Sequence, residues 1–164
     1  MKITGAKVYT EKHRFEERDI YISGERIALS EDEGPVIDAG GLYAVPGLVD
    51  IHLHGAAGHD FCERSKEALG IITAYEAERG VLVLCPATEV LPKEELLDVL
   101  NFLGEYGSRR GAYIAGINLE GPFISSAKTG ALDASNVLPF DGKLFGEFQK
   151  AAKGKIMLLD MAPE

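Results

Sequence analysis

The 164-residue chain is 46% hydrophobic and 26% charged, a balance that supports a packed core the size of one ordinary domain and excludes a disordered chain. Its formal net charge of -9, from 17 basic and 26 acidic residues, excludes the basic footprint of a nucleic-acid binder. No apolar run approaches a membrane span and no signal-peptide pattern opens the chain, so the expectation is a cytoplasmic protein with no membrane partner.

The first forty-five residues read as short antiparallel strands. Residues 2–9 form one; residues 19–22 and 26–30 flank the turn Ser23-Gly24-Glu25; residues 36–38 and 42–45 flank a second turn, Ala39-Gly40-Gly41. The pattern then changes. Residues 48–53 are apolar apart from Asp50 and His52, the profile of a buried parallel strand ending in polar groups. Ser65 caps a helix over 65–79 that Gly80 closes, and residues 81–85 form a second buried strand. Pro92 stands at the first position of another helix, with Leu96, Val99, Leu100 and Leu103 inward and Gly104 as its stop. Residues 112–119 are a third strand; Asp141 or Gly142 precedes a helix to about Ala152 that Gly154 closes, and residues 155–161 are a fourth strand. Strand and helix alternate, which predicts an α/β fold with a parallel sheet and outer helices. A doubly wound open sheet and part of a (β/α)₈ barrel both fit. The dinucleotide form of the first lacks its glycine fingerprint, and a whole barrel needs about 250 residues.

His52 and His54 are two apart at the end of an apolar strand, so both imidazoles face one way and can converge on one cation. Zinc, iron or manganese accepts such ligands. Asp50 either supports a metal-bearing histidine from behind or satisfies backbone groups. Glu120 ends the third strand, and a carboxylate there needs a partner, water or metal; Gly121-Pro122 then turns the chain and holds it at the rim. In the glycine loop after His54, His59 either contacts substrate or is a plain loop residue, and Asp60 is better placed to accept loop amides. Thr88 and Glu89 end the second strand and can line the same mouth. Lys128 is the obvious cation there for a phosphate, though a solvated surface lysine reads as well. Cys62 and Cys85 lack the spacing of a redox pair or zinc knuckle and read as reduced thiols. Cys62 lies close enough to the site to be metal-sensitive or oxidisable.

Val45-Pro46-Gly47-Leu48-Val49-Asp50-Ile51-His52-Leu53-His54-Gly55 resembles the opening barrel strand of the amidohydrolase superfamily. Asn118-Leu119-Glu120-Gly121-Pro122-Phe123-Ile124 narrows the resemblance to the N-acetylglucosamine-6-phosphate deacetylases. Gly58-His59-Asp60-Phe61, Lys128-Thr129-Gly130-Ala131 and Asp160-Met161-Ala162-Pro163-Glu164 add to it. The resemblance implies a metal-dependent (β/α)₈ barrel preceded by strands of a small β-sandwich, with residues 1–46 in the sandwich and 47–164 forming the first half of the barrel. It implies removal of acetate from N-acetylglucosamine 6-phosphate, leaving glucosamine 6-phosphate. Glu120 would be a metal ligand, His52 and His54 would bind a second metal in members with two, and His59, Asp60, Ala131 and Leu132 would border the substrate. One or two divalent ions, zinc or iron, would serve each complete subunit of a homodimer. The carboxylate base and further histidine ligands would come from strands beyond Glu164, so this length of chain by itself is expected to be inactive. The sequence departs from the family pattern at Ala87 and Glu89, where small hydroxyl residues are common, at Ser126 in place of proline, and at Leu132 in place of histidine or glutamine. The competing readings are an amidohydrolase acting on another N-acyl sugar or a cyclic amide, and a non-catalytic relic.

Overall fold

A computed structural model describes residues 1–30, 34–107 and 110–164. The chain divides into two units, Met1–Pro46 and Gly47–Glu164.

In the first unit β1 (Lys2–Tyr9) is the centre of a five-stranded sheet. Strand β2 (Phe15–Ser23) runs antiparallel to it and β3 (Arg26–Ala28) antiparallel to β2. The tight turn between β2 and β3 places Gly24 at φ +60°, a conformation glycine adopts at low cost. Strands β4 (Val36–Asp38) and β5 (Tyr43–Ala44) correct the antiparallel expectation, because both pair with β1 in parallel. Ala39-Gly40-Gly41 is therefore no hairpin turn. The β1–β2 register shifts between Ile3 and Ala6, and Gly5 takes φ +69°. The Cα of Gly40 lies 3.4 Å from where a Gly5 Cβ would be. The loop bows out opposite that irregularity, held by Ala39 N–H donating to Thr4 O and Lys7 N–H donating to Leu42 O, and the chain resumes along the same side of β1.

The second unit starts with β6 (Leu48–Leu53), followed by a two-residue pairing of β7 (Gly55–Ala56) with β8 (His59–Asp60). Then come α1 (Lys66–Glu78), β9 (Val81–Pro86), α2 (Lys93–Glu105), β10 (Tyr113–Ile114), β11 (Ile117–Glu120), α3 (Gly142–Ala151) and β12 (Ile156–Asp160). Ser65 Oγ accepts the Ala68 N–H, and Asp141 Oδ1 accepts those of Lys143 and Leu144, so both caps satisfy donors that a helix start leaves free. Pro92 lies one position outside its helix, as the N-cap.

The strands run in parallel as β6-β9-β10 and β11-β12, with a bridge between Ala87 and Asn118 joining the two sets. The single third strand expected over 112–119 is thus two. It breaks at Ala115-Gly116, so that β10 stays on β9 while β11 crosses to β12. A Cβ on Gly116 would meet Met157 Sδ at 2.4 Å and Lys155 O at 3.0 Å, so a side chain there would displace Met157 and crowd the Lys155 carbonyl.

Fully buried Leu69, Ile72, Leu96, Val99, Leu100, Leu103 and Phe148 bring the three helices onto Leu84, Ile117 and Leu119 of the strands. The buried character expected of β6 is not what forms. Leu48, Val49 and Ile51 are 56%, 59% and 55% exposed. The core draws on β9, β11 and β12 but takes only Leu53 from β6, which is the edge of its sheet. No described helix is long and apolar enough to cross a membrane.

Candidate metal centre

The carboxyl ends of β6, β9, β11 and β12 meet at one place. Ala87 N–H donates to Leu53 O and Thr88 N–H to Asn118 O, which ties the end of β9 to its two neighbours. Glu120 and Asp160 are opposite each other across the β11–β12 pairing. Such strand ends are the ordinary place for chemistry in parallel α/β sheets, because backbone pairing stops there and side chains can converge.

His52 and His54 lie on one face, their rings 5.3 Å apart and nearly perpendicular. Glu120 Oε2 stands 3.1 Å from His52 Nε2 and 2.9 Å from His54 Nε2. One ligand atom from each of the three residues falls within 4.8 Å of the others. Despite those short distances Glu120 Oε2 is buried and makes no hydrogen bond. His54 Nδ1, Thr88 Oγ1 and Asn118 Oδ1 are the other buried side-chain polar atoms in that condition among the described residues. Buried polar atoms normally have partners, so four orphans at the ends of these strands mark a place built around something polar. Atoms bound to a tetrahedral zinc at about 2.0–2.2 Å sit roughly 3–3.5 Å apart. Two imidazole nitrogens and a carboxylate oxygen in this arrangement fit a divalent cation by donor type and by spacing.

Backbone chemistry explains why Glu120 points here. Gly121 follows at φ +77°, and a Cβ on it would lie 2.4 Å from Val90 Cγ2. The chain can leave the strand at once only because that position is glycine. Asn118, two residues earlier on the same face, donates from Nδ2 to Ile51 O at 3.1 Å, which locks β11 against β6 across the site.

The remaining predicted residues divide. Asp50 Oδ1 accepts the backbone N–H of His52 at 3.0 Å, so it steadies the strand rather than an imidazole ring. Asp60 caps a short turn of helix, accepting the Cys62 N–H, while Glu63 accepts the Asp60 N–H and lies 3.2 Å from His59 Nδ1. Those contacts occupy His59 and Asp60 within their own loop, and hold the Glu63 carboxyl below its ordinary range. Lys128 and Ala131 are exposed in the loop after β11, where Leu132 N–H closes a turn on Thr129 O. Burial, with the carboxylates of Asp60 and Glu89 adding to it, pushes the Cys62 thiol up to about 12. Its surroundings therefore disfavour the thiolate at neutral pH.

Two neighbours were not singled out as metal-centre residues. Asp160 Oδ2 lies 3.3 Å from His52 Nδ1, and Glu89 Oε1 lies 3.4 Å from His54 Nδ1. The signal for Asp160 was available, since it ends an apolar strand just as Glu120 does. Glu89 lies three residues past its strand, and nothing local aims it at His54.

No protein-family model matches the chain. The N-acetylglucosamine-6-phosphate deacetylase of Bacillus subtilis is 33% identical over 125 residues, 73% of this chain and 32% of that protein. The Rattus norvegicus enzyme of the same name is 32% identical over 162 residues, 89% of this chain and 39% of that one. The crystal structure of N-acetyl-D-glucosamine-6-phosphate deacetylase from Mycobacterium smegmatis superposes with a TM-score of 0.83 at 27% identity, covering all of this chain and 47% of the other. This chain is related to the N-acetylglucosamine-6-phosphate deacetylases. It spans about a third to a half of the length of those deacetylases it matches. The likeness to these deacetylases extends to fold alone for the Pasteurella multocida structure, with a TM-score of 0.86 at 21% identity. A mutant of the Mycobacterium smegmatis deacetylase has been solved in complex with N-acetyl-D-glucosamine-6-phosphate.

Proposed function

We propose that His52, His54 and Glu120 are metal ligands of a hydrolase that removes acetate from N-acetylglucosamine 6-phosphate. The observation that carries this reading is the buried, unpartnered Glu120 Oε2 standing between two histidine nitrogens. Relatives named as deacetylases of that sugar phosphate support the choice of substrate. A bound zinc or iron would supply an acidified water and a polarised amide carbonyl. The chain's own residues hold the reacting place. His52 and His54 would offer Nε2 as ligand atoms, Glu120 its carboxylate, and the immediate turn at Gly121 keeps that carboxylate at the strand end. The carboxylate base is assigned to later strands of a chain of family length, and His59, Asp60, Ala131 and Leu132 to the border of the sugar site.

On the same reading residues 47–164 are the first half of a (β/α)₈ barrel and residues 1–46 part of a small β-sandwich, in a cytoplasmic homodimer with one or two metals per subunit. The parallel α/β order and the exposed edge of β6 support further strands pairing there. The test uses a chain of family length: bound metal is measured, and acetate release is followed from N-acetylglucosamine with and without the 6-phosphate. Metal at one or two equivalents and release from the phosphorylated sugar are expected. Release from a different N-acyl sugar alone would replace the substrate assignment, and absence of both metal and turnover would remove the enzymatic one. Glu120→Gln should lower both metal content and turnover by at least about tenfold, since it removes the one anionic ligand; unchanged metal content would remove Glu120 from the site.

A further inference from the structure

We infer that Asp160 and Glu89 are positioning residues that fix which nitrogen of each site histidine faces the metal. This rests on the metal-ligand reading of His52, His54 and Glu120. A histidine that binds a cation through Nε2 must carry its proton on Nδ1, and that N–H needs an acceptor in a site where polar atoms are short of partners.

At His52 two polar groups flank Nδ1. The Asn118 amide nitrogen is 3.2 Å away and carries two hydrogens, one directed at Ile51 O and a second that can bond Nδ1 only while the ring proton sits on Nε2, the tautomer that metal binding through Nε2 excludes. A donor cannot receive the Nδ1 proton. Asp160 Oδ2, at 3.3 Å, can only accept. At His54 the Nδ1 atom is buried without a hydrogen bond, and the Glu89 carboxylate is 3.4 Å from it. The two carboxylates come from different strand ends, yet each stands at the Nδ1 side of an imidazole whose Nε2 faces Glu120. That is the arrangement that selects the Nδ1–H tautomer, aims the Nε2 lone pair at a cation and raises its basicity. Neither carboxylate needs to touch the cation to do this.

The two claims separate in one experiment on the full chain with zinc as probe. Zinc affinity is measured by calorimetry, and the histidine tautomers are read from long-range proton–nitrogen correlation spectra of the zinc-loaded protein. In the unmodified chain His52 and His54 should both show the Nδ1–H, Nε2-bound pattern. Asp160→Ala and Glu89→Ala should each weaken zinc binding by about 10- to 100-fold and lose that pattern at the histidine concerned only. Asp160→Asn and Glu89→Gln, which keep shape and an acceptor oxygen but lose the charge, should fall between and serve if an alanine variant does not fold. No zinc binding by the unmodified chain would overturn the metal centre itself. Normal zinc binding with unchanged affinity and tautomers in the variants would leave the centre standing and overturn the role of Asp160 and Glu89.

Discussion

Glu120 and Cys62 are both withdrawn from water, and their neighbours give them opposite characters. Glu120 faces two imidazole nitrogens that can share a cation with it. Cys62 faces the carboxylates of Asp60 and Glu89, and burial already disfavours its thiolate. At pH 8 a thiol raised to about 12 should react with a disulfide reagent roughly a thousandfold more slowly than one titrating near 8.5. Dithionitrobenzoate kinetics in buffer and in urea check this, and rapid labelling of Cys62 in the folded chain would contradict it. Glu63 supplies a pH signature. Its folded-state pKa is depressed by the Asp60 N–H first and by His59 second, so its contribution to stability is present above the unfolded carboxyl value of about 4.3 and is lost as pH falls through the folded value. Melting curves of Glu63→Gln should lie below those of the unmodified chain at pH 7 and merge with them in acid. A constant gap at all pH values would mean that the effect is not the carboxylate's charge. At this scale the spacing His-x-His and the strand-end Glu120 were readable because strand period dictates direction. Asp60 accepts a loop amide as its place in the loop led one to expect, whereas the use of Asp50 on a backbone amide was one of two even readings, since local amides compete for carboxylates and the winner depends on conformation.

Among the helices, two glycines at superficially similar places should respond in opposite ways to one extra methyl group. A Cβ on Gly104 of α2 would lie 2.8 Å from the Ala152 carbonyl carbon and 2.9 Å from its oxygen, both backbone atoms beside α3. Gly104→Ala should cost about 1–3 kcal/mol, because two packed elements must separate. Gly70 of α1 meets nothing within 4 Å. Gly70→Ala should stabilise by about 0.5–1 kcal/mol through helix propensity and a more restricted unfolded chain. Urea unfolding of the two variants tests the pair, and the same sign in both would defeat the packing argument. The three helices were legible from periodicity, with Ser65 as the cap of the first, while Asp141 as the cap of the third was one of two starting positions the sequence offered. The parallel pairing of β4 and β5 was not legible. Gly40-Gly41 between short apolar runs is a hairpin signal locally, whereas the pairing of both runs with β1, on either side of the irregularity at Gly5, is a long-range matter.

For the molecule as a whole, the second unit buries the helix-facing side of β9, β11 and β12 but leaves Val49 and Ile51 of β6 more than half exposed. Among the described residues β6 pairs with β9 alone; Asp50 takes the His52 N–H and Asn118 reaches Ile51 O, but no strand covers its other edge beside the exposed Val49 and Ile51. Such an edge templates pairing with another chain. Sedimentation of the 164-residue chain should show association that grows with concentration, and Val49→Lys with Ile51→Lys should suppress it. A monomer at every concentration would show that the edge is not adhesive.

Apolar runs, glycine and proline punctuation and helix caps are local signals, and they were enough to establish alternating strands and helices and to nominate His52, His54 and Glu120. Short-range sterics and strand period act within a few residues, so a linear chain carries that information openly. Which strands neighbour one another is a long-range matter. The crossing of β11 to β12 at Gly116, the arrival of Asp160 beside His52 and that of Glu89 beside His54 depend on successive backbone pairings, β6 with β9, Ala87 with Asn118 and β11 with β12, that bring distant segments together. The histidine pair is therefore written in the sequence, while the carboxylates that surround it are brought there by the sheet.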